Sequence, residues 1–299
     1  MSTAILNQEL RKVTARRRHL YRPAQFRTIL NVVPEVPPHV EKIEIEVIDS
    51  FASIKPIQYK GGQLPTPTVQ RQKAVFTAAS FGCGFEVIDE ELTRARETGT
   101  DLSAVKALAN ARAAEELLET IAAQGDPYGL NLGGFGNNAE VAASPVVAVT
   151  KSVGGTAWTT AGVTAEEIAQ DVISLVNGVH LASKQIYTAD TVVVPLARMI
   201  HMVQVTNSFG RSALDMVQKV YPGMRFLPWG KLDALGAGST PRMIAFAARF
   251  PEVARFVLPQ ELTEHTPVPI AFGHMVPQKM TVIGAIVEQP LGVRYMDAI

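Results

Sequence analysis

Residues 43–75 carry the pattern that most limits what this chain can fold into. Isoleucine and valine alternate with glutamate from Ile43 to Val47, and a period of two with one polar face predicts a β-strand. Gly61 and Gly62 provide a flexible reversal, and the proline-containing stretch after them returns as a second strand. A two-stranded ribbon is marginally stable alone in water, so we expect this hairpin to lie against another surface.

Positive charge is concentrated before this hairpin. Across the first thirty residues Glu9 is the only acid, and the basic residues are Arg11, Lys12, Arg16, Arg17, Arg18, Arg22 and Arg27. The whole chain holds 28 basic and 28 acidic residues, so the remainder is net acidic. This arrangement predicts an arm that contacts either a polyanion or an acidic groove on a neighbouring subunit; a solvated tail is the alternative. Prolines at 34, 37 and 38 favour an extended arm that adds little to the subunit's own core.

The composition indicates that the chain hides apolar surface against other copies of itself. Of its 299 residues, 47% are hydrophobic and 19% are charged, against about 25% charged in an ordinary soluble protein. No run of 18 apolar residues occurs, so the excess does not predict a membrane span, and we expect no membrane partner. The N-terminal sequence lacks the apolar region of a secretory signal, so we expect no export.

Helices are predicted after the hairpin. Asp89 can cap a short helix that Gly99 ends, and residues 102–125 form a helix of about six turns with Gly125 as its stop. The apolar stripe of this long helix is Leu102, Val105, Leu108, Leu117, Leu118 and Ile121. The glycine-rich stretch that follows is predicted to be a surface loop, and residues 144–151 a strand.

Helix and strand then alternate, which is typical of a compact α/β unit. Thr164 and Glu167 have the spacing of a capping box. The helix that they open has an apolar side formed by Ile168, Val172, Leu175, Val176, Val179 and Ile186. Residues 191–195 form a buried strand, 213–221 a helix and 224–229 a strand, with a glycine-rich loop after them. Strand-rich segments close the chain, and no repeat of 20–50 residues indicates a solenoid.

The sequence contains no recognisable catalytic or metal-binding motif. The glycines from Gly129 to Gly136 miss the dinucleotide fingerprint and lack a P-loop lysine. None of the six histidines has metal-ligand spacing, and Cys83, the only cysteine, is expected to be a packed thiol. Glutamates 115, 116 and 119, beside Arg112, are interpreted as a solvated helix face. We therefore predict no catalytic residue, no metal and no cofactor.

In this order the parts resemble the major capsid protein of tailed bacteriophages, whose Hong Kong 97-like fold is shared with encapsulins. The resemblance covers nearly the whole chain, and its local sequences are ARAAEELLETIAAQGDPYGLNL, TAWTTAGVTAEEIAQDVISLV, ADTVVVP and VEQPLGVRYMDAI. It implies an α+β fold of four parts: an N-terminal arm at 1–42, an extended β-hairpin loop at 43–75, a peripheral domain with a long spine helix at 76–150 and 268–299, and an α/β axial domain at 151–267.

The resemblance also implies a non-enzymatic virion protein. It would self-assemble in the host cytoplasm into hexamers and pentamers of an icosahedral or elongated shell around double-stranded DNA. The arm residues Arg11, Lys12, Arg16, Arg17, Arg18, Arg22 and Arg27 would contact neighbours or DNA, and the extended loop would contact other subunits through Lys55, Tyr59, Lys60, Gly61 and Gly62. Because the sequence begins at Met1, we expect a separate scaffold, and further partners would be portal and decoration proteins.

Three other interpretations remain open from the sequence. An encapsulin-type nanocompartment would use the same fold around cargo enzymes, and genetic neighbours would distinguish it from a phage shell. An α/β enzyme with an unrecognised site would show turnover and a small defined oligomer. A DNA-binding protein that uses the arm would bind with a steep salt dependence.

Overall fold

The computed structural model describes residues 24–34, 36–37, 39–51, 68–98, 102–125, 127–130, 132–137, 157–160 and 162–299. The helices are α1 (Phe26–Ile29), α2 (Asp89–Thr98), α3 (Leu102–Gln124), α4 (Ala165–Ala182), α5 (Leu196–Gln204) and α6 (Ala213–Val220), with 3₁₀ turns at Gly230–Ala234 and Pro290–Gly292. The strands are β1 (Asn31–Val33), β2 (Lys42–Phe51), β3 (Thr68–Thr77), β4 (Ala79–Ile88), β5 (Thr191–Val194), β6 (Arg225–Pro228), β7 (Arg242–Phe246), β8 (Arg255–Val257), β9 (Gln260–Glu264), β10 (Val268–Ile270), β11 (Gly273–Val282), β12 (Gly284–Ile286) and β13 (Val293–Asp297).

Strands β2 and β3 form the predicted hairpin. They pair antiparallel from Lys42 opposite Thr77 to Phe51 opposite Thr68. The base of the hairpin is anchored, because Phe76 is buried in a small apolar cluster with Val257 and neighbouring side chains. The prediction of a ribbon that lies against the body is confirmed at this end.

β4 continues directly from the hairpin and was not predicted. It pairs antiparallel with β11 along its whole length, while β9 and β10 pair with the other edge of β11. Cys83 lies in β4 and is exposed, with its Sγ donating to Gln278 Oε1 at 3.4 Å. The expectation of a packed thiol was wrong.

Helix α3 is the predicted spine helix, and its two halves differ in burial. Its 23 residues extend for about 34 Å. Leu118 and Ile121 in the C-terminal half are buried, whereas Val105 and Leu108 in the N-terminal half are 58% and 50% exposed. The predicted apolar stripe therefore faces the subunit core only in its second half.

The glycine-rich stretch after α3 is packed inside the subunit over residues 132–136, so the prediction of a surface loop was wrong there. Phe135 N and Gly136 N donate to the last-turn carbonyls of α3, at 2.7 and 2.8 Å. Gly133 O accepts from Ala285 N of β12 at 2.7 Å. A Cβ at Gly134 would lie 2.0 Å from Gly125 N, so the backbones meet more closely than any side chain allows. The glycines serve close packing.

The predicted α/β unit contributes three strands to a four-stranded sheet, whose order is β13-β7-β5-β6. Thr164 and Glu167 form the predicted capping box of α4, and Ser212 and Asp215 form a second one on α6. β5 is buried throughout, as predicted. Ile186 was wrongly placed on the buried side of α4, since the helix ends at Ala182 and Ile186 is 67% exposed.

The two faces of this sheet contribute to two different cores. On β5, Val193 belongs to the core that contains α3, whereas Val192 and Val194 belong to the core beneath α4. On β7, Ile244 belongs to the core that contains α3, and Met243 belongs to the core beneath α4. This follows from the alternation of side chains along a strand. The sheet therefore contributes side chains to both cores.

The described end of the arm is part of the core that contains α3. Phe26, Ile29 and Leu30 are all buried, and β1 pairs in parallel with β8. The expectation that the arm adds little to the core was wrong for this segment. Pro34 and Pro37 follow β1 and lie outside helices and strands.

The predicted division at residue 267 stays a prediction, and strand pairing crosses that position in both directions. β8 and β9 precede it and pair with β12 and β11. β13 follows it and pairs with β7.

Glu119 of the spine helix is buried and accepts a hydrogen bond from Trp229 Nε1 at 3.1 Å. The interpretation of this glutamate as part of a solvated face was wrong. Lys231 Nζ, two residues beyond Trp229, donates to Thr120 Oγ1 at 3.1 Å. These two bonds join the spine helix to the 3₁₀ turn after β6.

Candidate intersubunit surfaces

A groove of about 550 Å³ lies between the exposed part of α3 and strand β9, and we call it the spine groove. Its apolar wall includes Leu108, Leu118 and Leu262. The alanines of α3 that face it are Ala104, Ala107, Ala111 and Ala114. Its carboxylates are Glu115, Glu261 and Glu264. The groove therefore combines an apolar wall with acidic edges.

Arg27 lies in the wall of the spine groove and is held within its own chain. Its Nη2 and Nε donate to the two carboxylate oxygens of Glu115 at 2.8 and 3.3 Å, and its Nη1 donates to Glu261 at 2.9 Å. The hydrogen bonds that Arg27 donates to the Glu115 carboxylate raise the pKa of its guanidinium, so this side chain stays a cation. Arg27 thus links α1 to α3 and β9.

A second apolar surface lies on α5. Leu196, Ile200 and Val203 are each 43–50% exposed, and the spacing i, i+4, i+7 places them on one face of the helix. The following loop exposes Phe209, a residue that is 86% accessible. Asn207 Oδ1 holds that loop by accepting from the backbone of Phe209 and Arg211, at 3.0 Å each. These two hydrogen bonds stabilise the loop that exposes Phe209.

A third apolar surface is the turn between β10 and β11. Val268, Ile270, Phe272 and Met275 are exposed there, and Phe272 is 79% accessible. The turn is anchored to α2, because Asp89 N donates to Phe272 O at 3.0 Å.

Most of the predicted contact residues fall outside the part of the chain that the structure describes. These are Arg11, Lys12, Arg16, Arg17, Arg18 and Arg22 of the arm, and Lys55, Tyr59, Lys60, Gly61 and Gly62 of the extended loop. Arg27 is described and lies in the spine groove. The predicted strand at 144–151 also lies outside the described residues.

Among the described residues, no group of three or more histidine, cysteine, aspartate or glutamate side chains is placed to hold a metal ion. Within the same ranges, no helix combines the length and apolar character that a membrane crossing requires.

The model of the family described as major capsid protein matches residues 55–299 of this chain. The chain belongs to the major capsid protein family. The predicted resemblance to tailed-phage capsid proteins is therefore confirmed, and both family and fold are those of structural proteins. No curated protein sequence matches the chain significantly.

Solved capsid structures are similar to this capsid protein over nearly its full length. The capsid of Myoviridae phage XM1 matches with a TM-score of 0.80 at 15% identity, covering 98% of each chain. The capsid of an empty GTA particle, computed with C5 symmetry, matches with a TM-score of 0.67 at 13% identity, covering 96% of this chain and 94% of that one. The predicted Hong Kong 97-like fold is confirmed.

A virus-like particle from Pyrococcus furiosus is a weaker match to the capsid protein. Its TM-score is 0.51 at 12% identity, with 90% of each chain covered.

Sequence reasoning missed the apolar surfaces on α5 and on the β10–β11 turn of this capsid protein. One signal was available for α5, since Leu196, Ile200 and Val203 have helical spacing. That spacing predicts an apolar face but does not distinguish a face toward the subunit core from one toward another subunit. The β10–β11 turn gave no comparable signal, because short apolar runs also occur in buried strands.

Proposed function

We propose that this capsid protein self-assembles in the host cytoplasm into hexamers and pentamers that form a closed shell around the double-stranded DNA of a tailed phage. Separate scaffold, portal and decoration proteins would take part. The arm's basic residues would contact acidic neighbours or packaged DNA, and the extended loop would contact other subunits. For these roles we keep the four-part division into arm, extended loop, peripheral domain and axial domain.

One observation carries this proposal beyond the family assignment. The subunit exposes apolar side chains at three separate places: the N-terminal half of α3, the face of α5 with Phe209, and the β10–β11 turn. Large exposed apolar patches on soluble proteins mark interaction sites. Several exposed apolar surfaces on one subunit suit a shell, in which each copy has several neighbours.

The test is assembly of the full-length chain, with and without a change on α5. We expect the parent to form closed particles in negative-stain images and to sediment as shells. Ile200→Asp introduces a charge into a surface that assembly would bury, so shells should be lost while circular dichroism stays unchanged. Gln170→Asp adds the same charge at an exposed position of α4, outside the three apolar surfaces, and is the matched control.

Two results would count against the proposal. A parent chain that remains a monomer or dimer at all concentrations would exclude a shell-forming function, and normal shells from Ile200→Asp would exclude α5 as a contact surface. Particles purified from infected cells that contain protein cargo and no DNA would instead support a nanocompartment.

A further inference from the structure

We propose that in the free subunit residues 16–22 lie in the spine groove of their own chain. This inference rests on the proposed function, since it assigns a place to the arm before the arm meets neighbours or DNA. It deepens the proposal by naming one occupant for one surface. The groove, its charges and the position of Arg27 carry the argument.

Charge complementarity is the first support. Among the described residues that line the groove, three are glutamates and Arg27 is the only cation, so the lining is net acidic. Glu261 is 67% exposed while paired to Arg27, and Glu264 accepts from Gln278 Nε2 at 3.0 Å. Because a carboxylate accepts several hydrogen bonds, both retain capacity for a guanidinium. Residues 16–22 read RRRHLYR and supply four arginines.

The apolar groups also match. Leu20 and Tyr21 lie between the arginines, and the groove wall offers exposed Leu108 with the alanines of α3. Alanine side chains allow another backbone to approach closely. From Ala104 to Leu118 the helix rises about 21 Å, and seven extended residues span about 23 Å. The segment therefore has the length of the groove.

Chain connectivity favours the same chain over a second copy. Arg27 already occupies the groove wall, and Arg22 precedes it by only five residues. A short tether produces an effective concentration in the mM range, which a separate chain in dilute solution does not reach. Pro23 favours an extended Arg22, as lying along a groove requires. The part of the arm that precedes Arg27 therefore starts close to the acidic groove.

Disulfide trapping in the full-length chain tests this placement. In a Cys83→Ser background, His19→Cys is combined with Ala111→Cys, which faces the groove. The matched control combines His19→Cys with Ala113→Cys, which is exposed on the same helix but does not line the groove. Both are oxidised mildly at low ionic strength and low concentration, and subunits are separated from shells by sedimentation.

We expect an intrachain disulfide in the subunit fraction, seen as a monomer of altered mobility on a non-reducing gel. Its yield should exceed that of the control pair at least tenfold. Disulfide-linked dimers would show that another copy's arm fills the groove, and equal yields from the two pairs would show no preferred site. Either result overturns the inference. Shells that still form in these cases leave the proposed function intact, so the two failures are distinguishable.

A charge variant provides the second measurement. Glu261→Gln with Glu264→Gln should lower the trapping yield at least threefold, and raising the salt concentration should lower it in the parent. Glu166→Gln, an exposed change on α4, is the control and should leave the yield unchanged. A yield that does not respond to the double change would rule out pairing of the arm with these carboxylates. A thermal melt checks that the loss of one Arg27 partner has not unfolded the chain.

Discussion

Gly134 shows how a single residue fixes the joint between the spine helix and the rest of the subunit. A side chain there would collide with the backbone of Gly125, 2.0 Å from its nitrogen. Gly125 itself has a φ of +81°, a conformation that other residues adopt only with strain. Two glycines from different segments therefore allow one close crossing of backbones.

We predict that Gly134→Ala destabilises the subunit by about 3 kcal/mol or prevents it from folding, since neither backbone can move without loss of helix-end hydrogen bonds. Gly82→Ala is the control, because a Cβ there makes ordinary contact with Gln278 O at 3.5 Å. Chemical denaturation measures both. Equal stability of the two variants would show that the crossing is not rigid.

The Cys83 thiol provides a prediction about pH. Although Cys83 is exposed overall, neighbouring atoms partly desolvate its thiol and raise its pKa, because a low-dielectric environment disfavours the thiolate. The folded chain then holds this proton at a pH where the unfolded chain has lost it. Its contribution to stability is therefore complete below the unfolded thiol pKa of about 8.5 and declines as the pH rises above it.

Alkylation rates of Cys83 measured against pH check this direction. The midpoint of the folded chain should lie above that of the same chain in denaturant, because only the thiolate reacts. The denatured chain controls for reagent chemistry. A folded midpoint at or below the unfolded one would contradict the assigned effect of burial.

At the scale of elements, local signals predicted α2, α3, α4 and α6 but neither α1 nor α5, and they predicted long-range packing poorly. Thr164 and Glu167 lie within one turn, so the capping box could be identified from spacing alone. The burial of Phe26 depends on Phe256, whose ring lies 5.0 Å away but 230 positions along the chain. No local pattern encodes such a pair. The same holds for Trp229 and Glu119, which no spacing rule relates.

The candidate surfaces could be predicted to a smaller extent than the helices. The basic arm was evident from sequence, because charge needs no fold to be recognised. The spine groove was not, since Glu115 and Glu261 come together only when β9 packs beside α3. The exposure of Val105 and Leu108 could not be predicted either, because both belong to an apolar stripe whose C-terminal part is buried.

The arm divides into two segments with different effects on stability. Deletion of residues 1–30 removes Phe26, Ile29 and Leu30 from the core. It should lower the free energy of unfolding by about 5 kcal/mol or more, given about 2–5 kcal/mol for each large buried side chain. Deletion of residues 1–22 retains all three and should change stability far less.

Thermal melting of the two deletions, compared with the parent, measures this difference. The shorter deletion is the control for loss of the basic residues. If both deletions melt with the parent, α1 is dispensable for the core. If both fail to melt cooperatively, residues 1–22 also belong to the folded unit.

At the scale of the whole molecule, the two largest cores among the described residues share one sheet. Arg242 strengthens this connection, since it is buried, pairs with Asp297 of β13 at 2.6 Å and donates to Gly136 O beside the spine helix. Its guanidinium also lies 4.3 Å above the Tyr295 ring. Separating the partners of a buried ion pair costs free energy, so the contacts of Arg242 oppose separation of the two cores.

This arrangement predicts that the subunit unfolds in a single transition. Both cores lose buried side chains if the sheet unfolds, because successive residues of β7 face opposite cores. Ile244→Ala, in the spine-helix core, and Met243→Ala, in the α4 core, should therefore each shift the whole transition to lower temperature. The expected loss is about 2–5 kcal/mol for each. Leu196→Ala, at an exposed position, should have little effect.

Calorimetry of the unassembled chain tests this prediction, because it reports the number of cooperative units as well as their midpoint. A calorimetric enthalpy equal to the van't Hoff enthalpy indicates one unit. Two transitions, of which Ile244→Ala shifts one and Met243→Ala the other, would show that the halves unfold independently. The sheet of β13, β7, β5 and β6 would then be a hinge between two folded bodies, and Arg242 would join them without coupling their stability.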